Sequence, residues 1–197
     1  MVIDDTYTLG PKQYNDVETV KHGILVGHSY TPDMRFVTGW KTRYAGAYRH
    51  TAAYSIDRDG TIYRHFDDKF YADYADLKDF DSRYIGVNLV NEGHYIKDHL
   101  NNRYVSWRGR EYRADEVDVK QKNWRGHSYW NAYTDAQLQS LRDLYRHLRD
   151  DWGWEGRPIP TNTMATVVEE RYSVLYRSNL LYYHCDPNPT FDFTLFD

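Results

Sequence analysis

Two periodicities alternate along this chain, and together they outline its elements. Residues 21–28 (KHGILVGH) form a short apolar run ending in a histidine, the pattern of a buried strand. From Thr31 to Tyr44, Met34, Val37 and Trp40 recur at threes, predicting a helix with Thr31 as its cap and Pro32 at its first position. A hairpin comes next: Ala52–Ile56, the turn Asp57-Arg58-Asp59-Gly60, then Thr61–Phe66, with Asp-Gly supplying the positive φ of the turn. Tyr84–Val90 reads as a further strand. The clearest helix runs from Thr134 to about Trp152. Thr134 and Gln137 make a capping box, Leu138, Leu141, Leu144, Tyr145, Leu148 and Trp152 make one apolar stripe, and Gly153 stops it. A helix near Thr163–Glu170 and a strand over Tyr172–Tyr176 complete the pattern. Interleaved strands and helices predict an α/β (α+β) fold, with a central mixed β-sheet of about five strands flanked by helices.

Composition narrows this little. A chain of 197 residues with 41% hydrophobic and 27% charged positions is one globular domain. The departure is aromatic content, 17%, with 20 Tyr and 6 Trp, which suits wet binding surfaces, sugar faces included, as well as a core. Much of it lies in a polar stretch between Asn91 and Tyr133 that holds Trp107, Trp124 and Trp130. This stretch reads as an insertion loop, and its tryptophans argue against disorder. Net charge is −4, which gives no electrostatic reason to expect nucleic acid as a partner. The single cysteine, Cys185, excludes an intrachain disulfide. Residues 1–13 (MVIDDTYTLGPKQ) lack the basic and apolar segments of a signal peptide, and no apolar run is long enough to span a membrane.

Four ordered segments carry a resemblance: ILVGH ending at His28, YSIDRDGTIY over Tyr54–Tyr63, YIGVNLVN over Tyr84–Asn91, and DPNPTFD over Asp186–Asp192. YTDAQL, over Tyr133–Leu138, precedes the last of them. In these the chain resembles the zinc-dependent N-acetylmuramoyl-L-alanine amidases of bacteriophages and bacteria, a family that includes the peptidoglycan recognition proteins. The resemblance spans about Gly23–Phe193. It implies residues 1–22 as an N-terminal extension, 23–197 as the amidase-like domain with 91–133 as its insertion, and a groove for the peptide stem of peptidoglycan.

In active members of the family two histidines and an Asp or Cys hold zinc, whose bound water attacks the amide while a carboxylate serves as base. By position His28 matches the first ligand and Asp186 the third, with Cys185 or His184 as substitutes and His50 as a more distant one. The second ligand position holds Tyr176 or Arg177. The carboxylate position holds Asn88, and a histidine often found after the hairpin is replaced by Tyr74. Tyr54, Tyr74, Trp107 and Trp130 are expected along the groove. Tyr ligates zinc poorly at neutral pH, Arg does not ligate it, and Asn takes no proton from water. The resemblance therefore implies a catalytically degenerate, amidase-like peptidoglycan-recognition protein in which zinc is not tightly held. Its partners would be peptidoglycan or its fragments, with no membrane partner, and its setting a phage virion or lysis at the bacterial cell wall. Two alternatives stay open: an active zinc amidase that cleaves between N-acetylmuramic acid and L-alanine, and a structural protein that contacts other virion proteins.

Overall fold

The computed structural model describes residues 1–165 and 171–196. Its centre is a seven-stranded sheet. In chain order the strands are β1 (Ile3–Asp4), β2 (Gly23–His28), β3 (Tyr54–Ile56), β4 (Ile62–Arg64), β5 (Tyr84–Leu89), β11 (Arg157–Pro158) and β12 (Tyr172–Tyr176), laid out as β1-β4-β3-β5-β2-β12-β11. Only the β3–β4 hairpin is antiparallel. The four expected segments supply the five inner strands, and the two-residue strands β1 and β11 extend the edges. Every residue of β2 is buried, because parallel neighbours flank it on both sides and helices cover the sheet.

Among the described residues four α-helices accompany the sheet: α1 (Phe36–Thr42), α2 (Lys78–Arg83), α3 (Asp135–Trp152) and the single turn α4 (Arg177–Leu180). In α3 the Thr134 hydroxyl accepts the Gln137 backbone N–H at 3.1 Å, while the Gln137 side chain accepts the Thr134 N–H at 3.3 Å, so two orphan donors are satisfied reciprocally. The Gln137 amide also donates to the carbonyls of Ile56 and Val90, tying the helix start to two strand ends. Leu141, Leu144, Tyr145 and Leu148 are buried, and Gly153 closes the helix at φ 68°.

Two expectations change, and a third lies mostly outside the described residues. The helix expected from Thr31 starts at Phe36, because Ser29, Thr31 and Asp33 close local side-chain–backbone bonds that compete with helix. The helix expected over Thr163–Glu170 falls mostly outside the described residues; 163–165 are not helical. The 91–133 insertion is no loop. It forms a second, antiparallel sheet of β6 (His94–Asp98), β7 (Arg103–Ser106), β8 (Glu111–Arg113), β9 (Val119–Trp124) and β10 (His127–Asn131), in the order β8-β7-β6-β10-β9. Its strands are mostly half-buried or exposed. Facing rings join them instead of an apolar core: Tyr95 meets Tyr104 and Tyr112, Tyr104 meets Tyr129, and Lys97 lies over Tyr104 and Tyr129. Within residues 1–22, β1 adds to the sheet edge beside β4 and Leu9 joins the core. No helix of the described residues is long and apolar enough to cross a membrane.

Candidate functional site

Strands β12, β2 and β5 are adjacent and parallel, so their carboxyl ends open together, where parallel sheets place ligand sites. A cleft of about 780 Å³ lies there, lined by His28, Tyr30, Tyr74, Asn88, Glu92 and Arg177 among others. β12 ends at Tyr176, and the chain then turns into α4, whose first residue is Arg177. Gly27 leaves room for three side chains to converge over β2. A Cβ there would lie 2.4 Å from Asp186 Oδ2, 2.5 Å from Tyr74 Oη and 2.6 Å from Arg177 Cδ, closer than real atoms approach.

The focus of the site is Asp186, whose side chain is fully buried and has both oxygens engaged. Arg177 Nη1 donates to Oδ2 at 3.0 Å, and the His28 backbone N–H donates to the same oxygen at 3.2 Å. On Oδ1, the Tyr30 hydroxyl donates at 3.2 Å and His184 Nδ1 lies at 3.0 Å. Arg177 Nη2 also meets His184 Nε2 at 3.1 Å. A guanidinium has only donors, so Nε2 accepts and the His184 proton sits on Nδ1, facing the carboxylate. Burial alone would raise the Asp186 pKa, but Arg177, with His184 and His28, outweighs it and holds the carboxyl well below the usual carboxylate range. The Arg177 guanidinium also stacks over the Tyr74 ring at 4.8 Å. The Tyr74 hydroxyl is bonded to Val87 O and Asn88 Oδ1. Burial pushes the His28 imidazole down to about 4, so the ring is neutral at physiological pH.

The site residues expected from sequence divide. His28, Asn88, Tyr74 and Arg177 line the cleft, and Asp186 and His184 stand directly behind Arg177. Trp107, half exposed, lines it too, with its indole N–H on Tyr30 O at 3.0 Å. His50 reaches its wall, with Nδ1 at 3.0 Å from Asp73 O.

Four others do not line it. Tyr176 is fully buried on the opposite side of β12, packed against Phe191 and Phe193, so of the two residues only Arg177 lines the cleft. Tyr54 is a core residue whose hydroxyl donates to Asp68 at 3.1 Å. Trp130 is fully buried against the insertion sheet, its N–H on Lys122 O at 2.7 Å. Cys185 is buried beside the site, and burial raises its thiol pKa. In all four the aromatic or sulfur surface is spent on packing.

Sequence reasoning missed several contributors. Tyr30 adopts φ 56° and bridges Asp186 to the Cys185 N–H. Tyr133, just before α3, holds His28 Nδ1 at 2.9 Å. Glu92 brings a carboxylate into the cleft two residues past the expected strand, and its Oε2 accepts from the Tyr95 hydroxyl. Arg125, in the β9–β10 turn, was legible only as a polar residue beside a glycine. Its guanidinium donates to the carbonyls of Ser178, Leu181, Tyr182 and His184, which are the open end of α4 and the loop leading to Asp186. The insertion thus clasps the segment that carries the buried carboxylate. Arg125→Ala is expected to cost about 1–3 kcal/mol by leaving these carbonyls without their charged donor. It should also speed amide hydrogen exchange selectively across residues 178–185. Unchanged protection there would show the clasp to be idle.

The residues do not fit a zinc centre. A three-ligand site needs free lone pairs from three donors. Here Asp186 spends both oxygens on hydrogen bonds, and Arg177, at the position matched to the second ligand, presents a cation. Among the described residues no group of three His, Cys, Asp or Glu is placed to hold a metal ion.

A sequence profile described as N-acetylmuramoyl-L-alanine amidase matches residues 13–173, most of the chain. The chain belongs to the N-acetylmuramoyl-L-alanine amidase family. Members of this amidase family are typically zinc-dependent, which sets the Arg177–Asp186 pair apart. No curated protein sequence matches the chain. Among solved structures, the N-acetylmuramoyl-L-alanine amidase LysC from Clostridium intestinale is similar over 98% of this chain and 93% of its own, at 13% identity and a TM-score of 0.56. The endolysine N-acetylmuramoyl-L-alanine amidase LysCS from the same organism is similar over 98% and 91%, at 14% identity and 0.54. Drosophila peptidoglycan recognition protein SA is similar over 88% and 78%, at 12% identity and 0.50. At such identities these likenesses speak to the fold: the amidase architecture extends over nearly the whole chain.

Proposed function

We propose that this amidase-family protein recognises peptidoglycan through the cleft without hydrolysing it, an ion pair serving where a metal would otherwise sit. The observation that carries this reading is the buried Arg177–Asp186 pair at 3.0 Å beside His28. A fixed guanidinium opposes a dication and holds the third-ligand carboxylate in place without one. Asn88, at the position expected for the general base, donates and accepts hydrogen bonds but takes no proton from an attacking water. The cleft, walled by Tyr30, Tyr74 and Trp107, retains a shape and chemistry suited to a peptide–sugar ligand. The family, together with the similar amidases and peptidoglycan recognition protein, supplies the ligand class. Action at the bacterial wall, from a phage particle or during lysis, is the setting that best agrees with the endolysine likeness.

One observation favours a second reading. Glu92 offers the cleft a carboxylate of its own, so a hydrolase that uses Glu92 in place of Asn88 is the rival.

One set of assays on purified wild-type protein separates the two. The expected outcome is co-sedimentation with insoluble peptidoglycan, zinc far below one per chain, and no release of stem peptide. Zinc near one per chain together with peptide release overturns the proposal. Release that disappears in Glu92→Gln would establish the rival. No sedimentation at all would leave a structural role in an assembly.

A further inference from the structure

Beyond Glu92, the insertion reaches the cleft through the turn between β7 and β8, where Trp107, Arg108 and Arg110 line it. The turn is closed by its own bonds. The Ser106 N–H donates to Arg110 O at 2.9 Å, the Gly109 N–H to Ser106 O at 2.8 Å, and the Arg110 N–H to the Ser106 hydroxyl at 3.2 Å. Gly109 takes φ 77°, a conformation open to glycine. Of the 6 tryptophans in the chain, Trp107 is the exposed one, at 53%. A single exposed aromatic ring means little by itself. This one is held in place. Its indole N–H donates to Tyr30 O at 3.0 Å, and its ring meets that of Tyr30 edge-on at 6.2 Å and 85°. Tyr30 is anchored in turn by its hydroxyl on Asp186 at 3.2 Å.

Fixing the N–H decides what the residue offers. An indole has that one donor and no acceptor, so with the donor spent the ring presents only its apolar faces. Arg108 is exposed, and its guanidinium lies 5.6 Å from the ring centroid, so whatever is laid on the indole comes within its reach. A guanidinium only donates, and the turn Trp107-Arg108-Gly109-Arg110 carries no acceptor side chain. The complementary ligand has a flat C–H face for the indole and oxygen acceptors around its rim. A pyranose ring has both: its axial hydrogens make an apolar face, and its hydroxyl and acetamido oxygens point outward. An ammonium-bearing peptide side chain would meet like charge here, and an aliphatic one would leave the guanidinium idle. We infer that this turn is a saccharide subsite, with Trp107 stacking on a pyranose ring and Arg108 donating to the oxygens at its edge. The inference rests on the peptidoglycan reading only for the source of the ring, an N-acetylated sugar of the glycan strand.

The test uses soluble probes titrated calorimetrically into the full chain: the stem tetrapeptide L-Ala-γ-D-Glu-L-Lys-D-Ala, the same peptide carried on N-acetylglucosaminyl-N-acetylmuramic acid, and the peptide-free sugar chitotetraose. The sugar-bearing peptide is expected to bind about tenfold or more tightly than the free one. Trp107→Ala should abolish that preference, and Trp107→Phe, which keeps a ring, should retain part of it. Tyr182→Ala, which removes an exposed ring outside the cleft, should leave the preference unchanged. A second readout needs no variant. In the wild type the sugar-bearing peptide should shield the exposed indole from acrylamide quenching of tryptophan fluorescence, and the free peptide should not.

Equal affinity for the two peptides, no binding of any probe, a preference that survives in Trp107→Ala, or quenching that the sugar leaves unchanged would each overturn the inference. Any of these alongside sedimentation with peptidoglycan would overturn it and leave the functional reading standing. Trp107-dependent binding of chitotetraose by a protein that ignores insoluble peptidoglycan would do the reverse.

Discussion

Asp186→Asn is expected to destabilise the protein by about 3–5 kcal/mol near neutral pH, the cost of stranding the partner of a buried ion pair. Arg177 would keep its charge in a site where its side chain is only 16% exposed, with the carboxylate gone. The same substitution weakens the acceptor for His184 Nδ1–H, the Tyr30 hydroxyl and the His28 N–H, so four contacts loosen together. Folding holds the Asp186 pKa below its ordinary value of 3.8. The pair's stabilisation is therefore fully present above that value and is lost as pH falls through the lower folded-state pKa. The deficit of Asp186→Asn relative to wild type should be constant at neutral pH and narrow under strong acid. Denaturant midpoints measured across that range check it. A deficit below about 1 kcal/mol would mean that the pair contributes no more than a surface bridge. Arg177→Met/Asp186→Asn should recover part of the loss, since residues in one network are not additive.

Arg177→His is expected to turn the site toward metal. It removes the cation that opposes zinc, leaves Asp186 Oδ2 with only the His28 backbone N–H, and places an imidazole beside Asp186. That completes the two-histidine, one-carboxylate set of a zinc site. His28 can present Nε2 as a lone pair once the Tyr133 hydroxyl turns to accept from Nδ1. Without zinc the variant should be less stable than wild type, because it leaves Asp186 without its counter-charge. With zinc at a hundred times its dissociation constant it should regain about 2.7 kcal/mol. Metal content after dialysis and the zinc dependence of the thermal midpoint read this directly. A folded variant that takes up no zinc would show that something other than Arg177 excludes the ion. Asn88→Glu alone should confer neither zinc nor hydrolysis; combined with Arg177→His it supplies the missing base.

How much of the structure is legible in the sequence depends on how local the cause is. Helix α3 can be read nearly to the residue, because its capping box, apolar stripe and terminal glycine all act within a few residues of one another. The apolar run of β2 and the Asp-Gly hairpin are equally local, and the mixed sheet follows from their order. The insertion reads wrongly as a loop because its strands carry little apolar alternation. They are held by facing aromatic rings whose pairing exists only once the strands are in register.

The site needs the tertiary structure in a stronger sense. His28 and Asp186 are 158 positions apart, and nothing local announces that a backbone N–H of one meets a carboxylate of the other. The sequence by itself leaves Tyr176 and Arg177 as equal candidates for the site; the sheet decides which of them faces the cleft. Tyr176 sits in register with Val26 and so faces the core side, while the next residue emerges on the face of Gly27, where only the missing Cβ leaves room for a guanidinium against Asp186. Likewise Tyr54, Trp130 and Trp107 look alike as aromatic residues, yet burial assigns the first two to packing and leaves the third at the cleft. Residue types determined the available chemistry, namely a fixed cation, a carboxylate and an amide where a base was expected. The parallel register of three strands decided which of these side chains meet, because side-chain direction in a sheet reverses at every residue and is known only once the partners are in place.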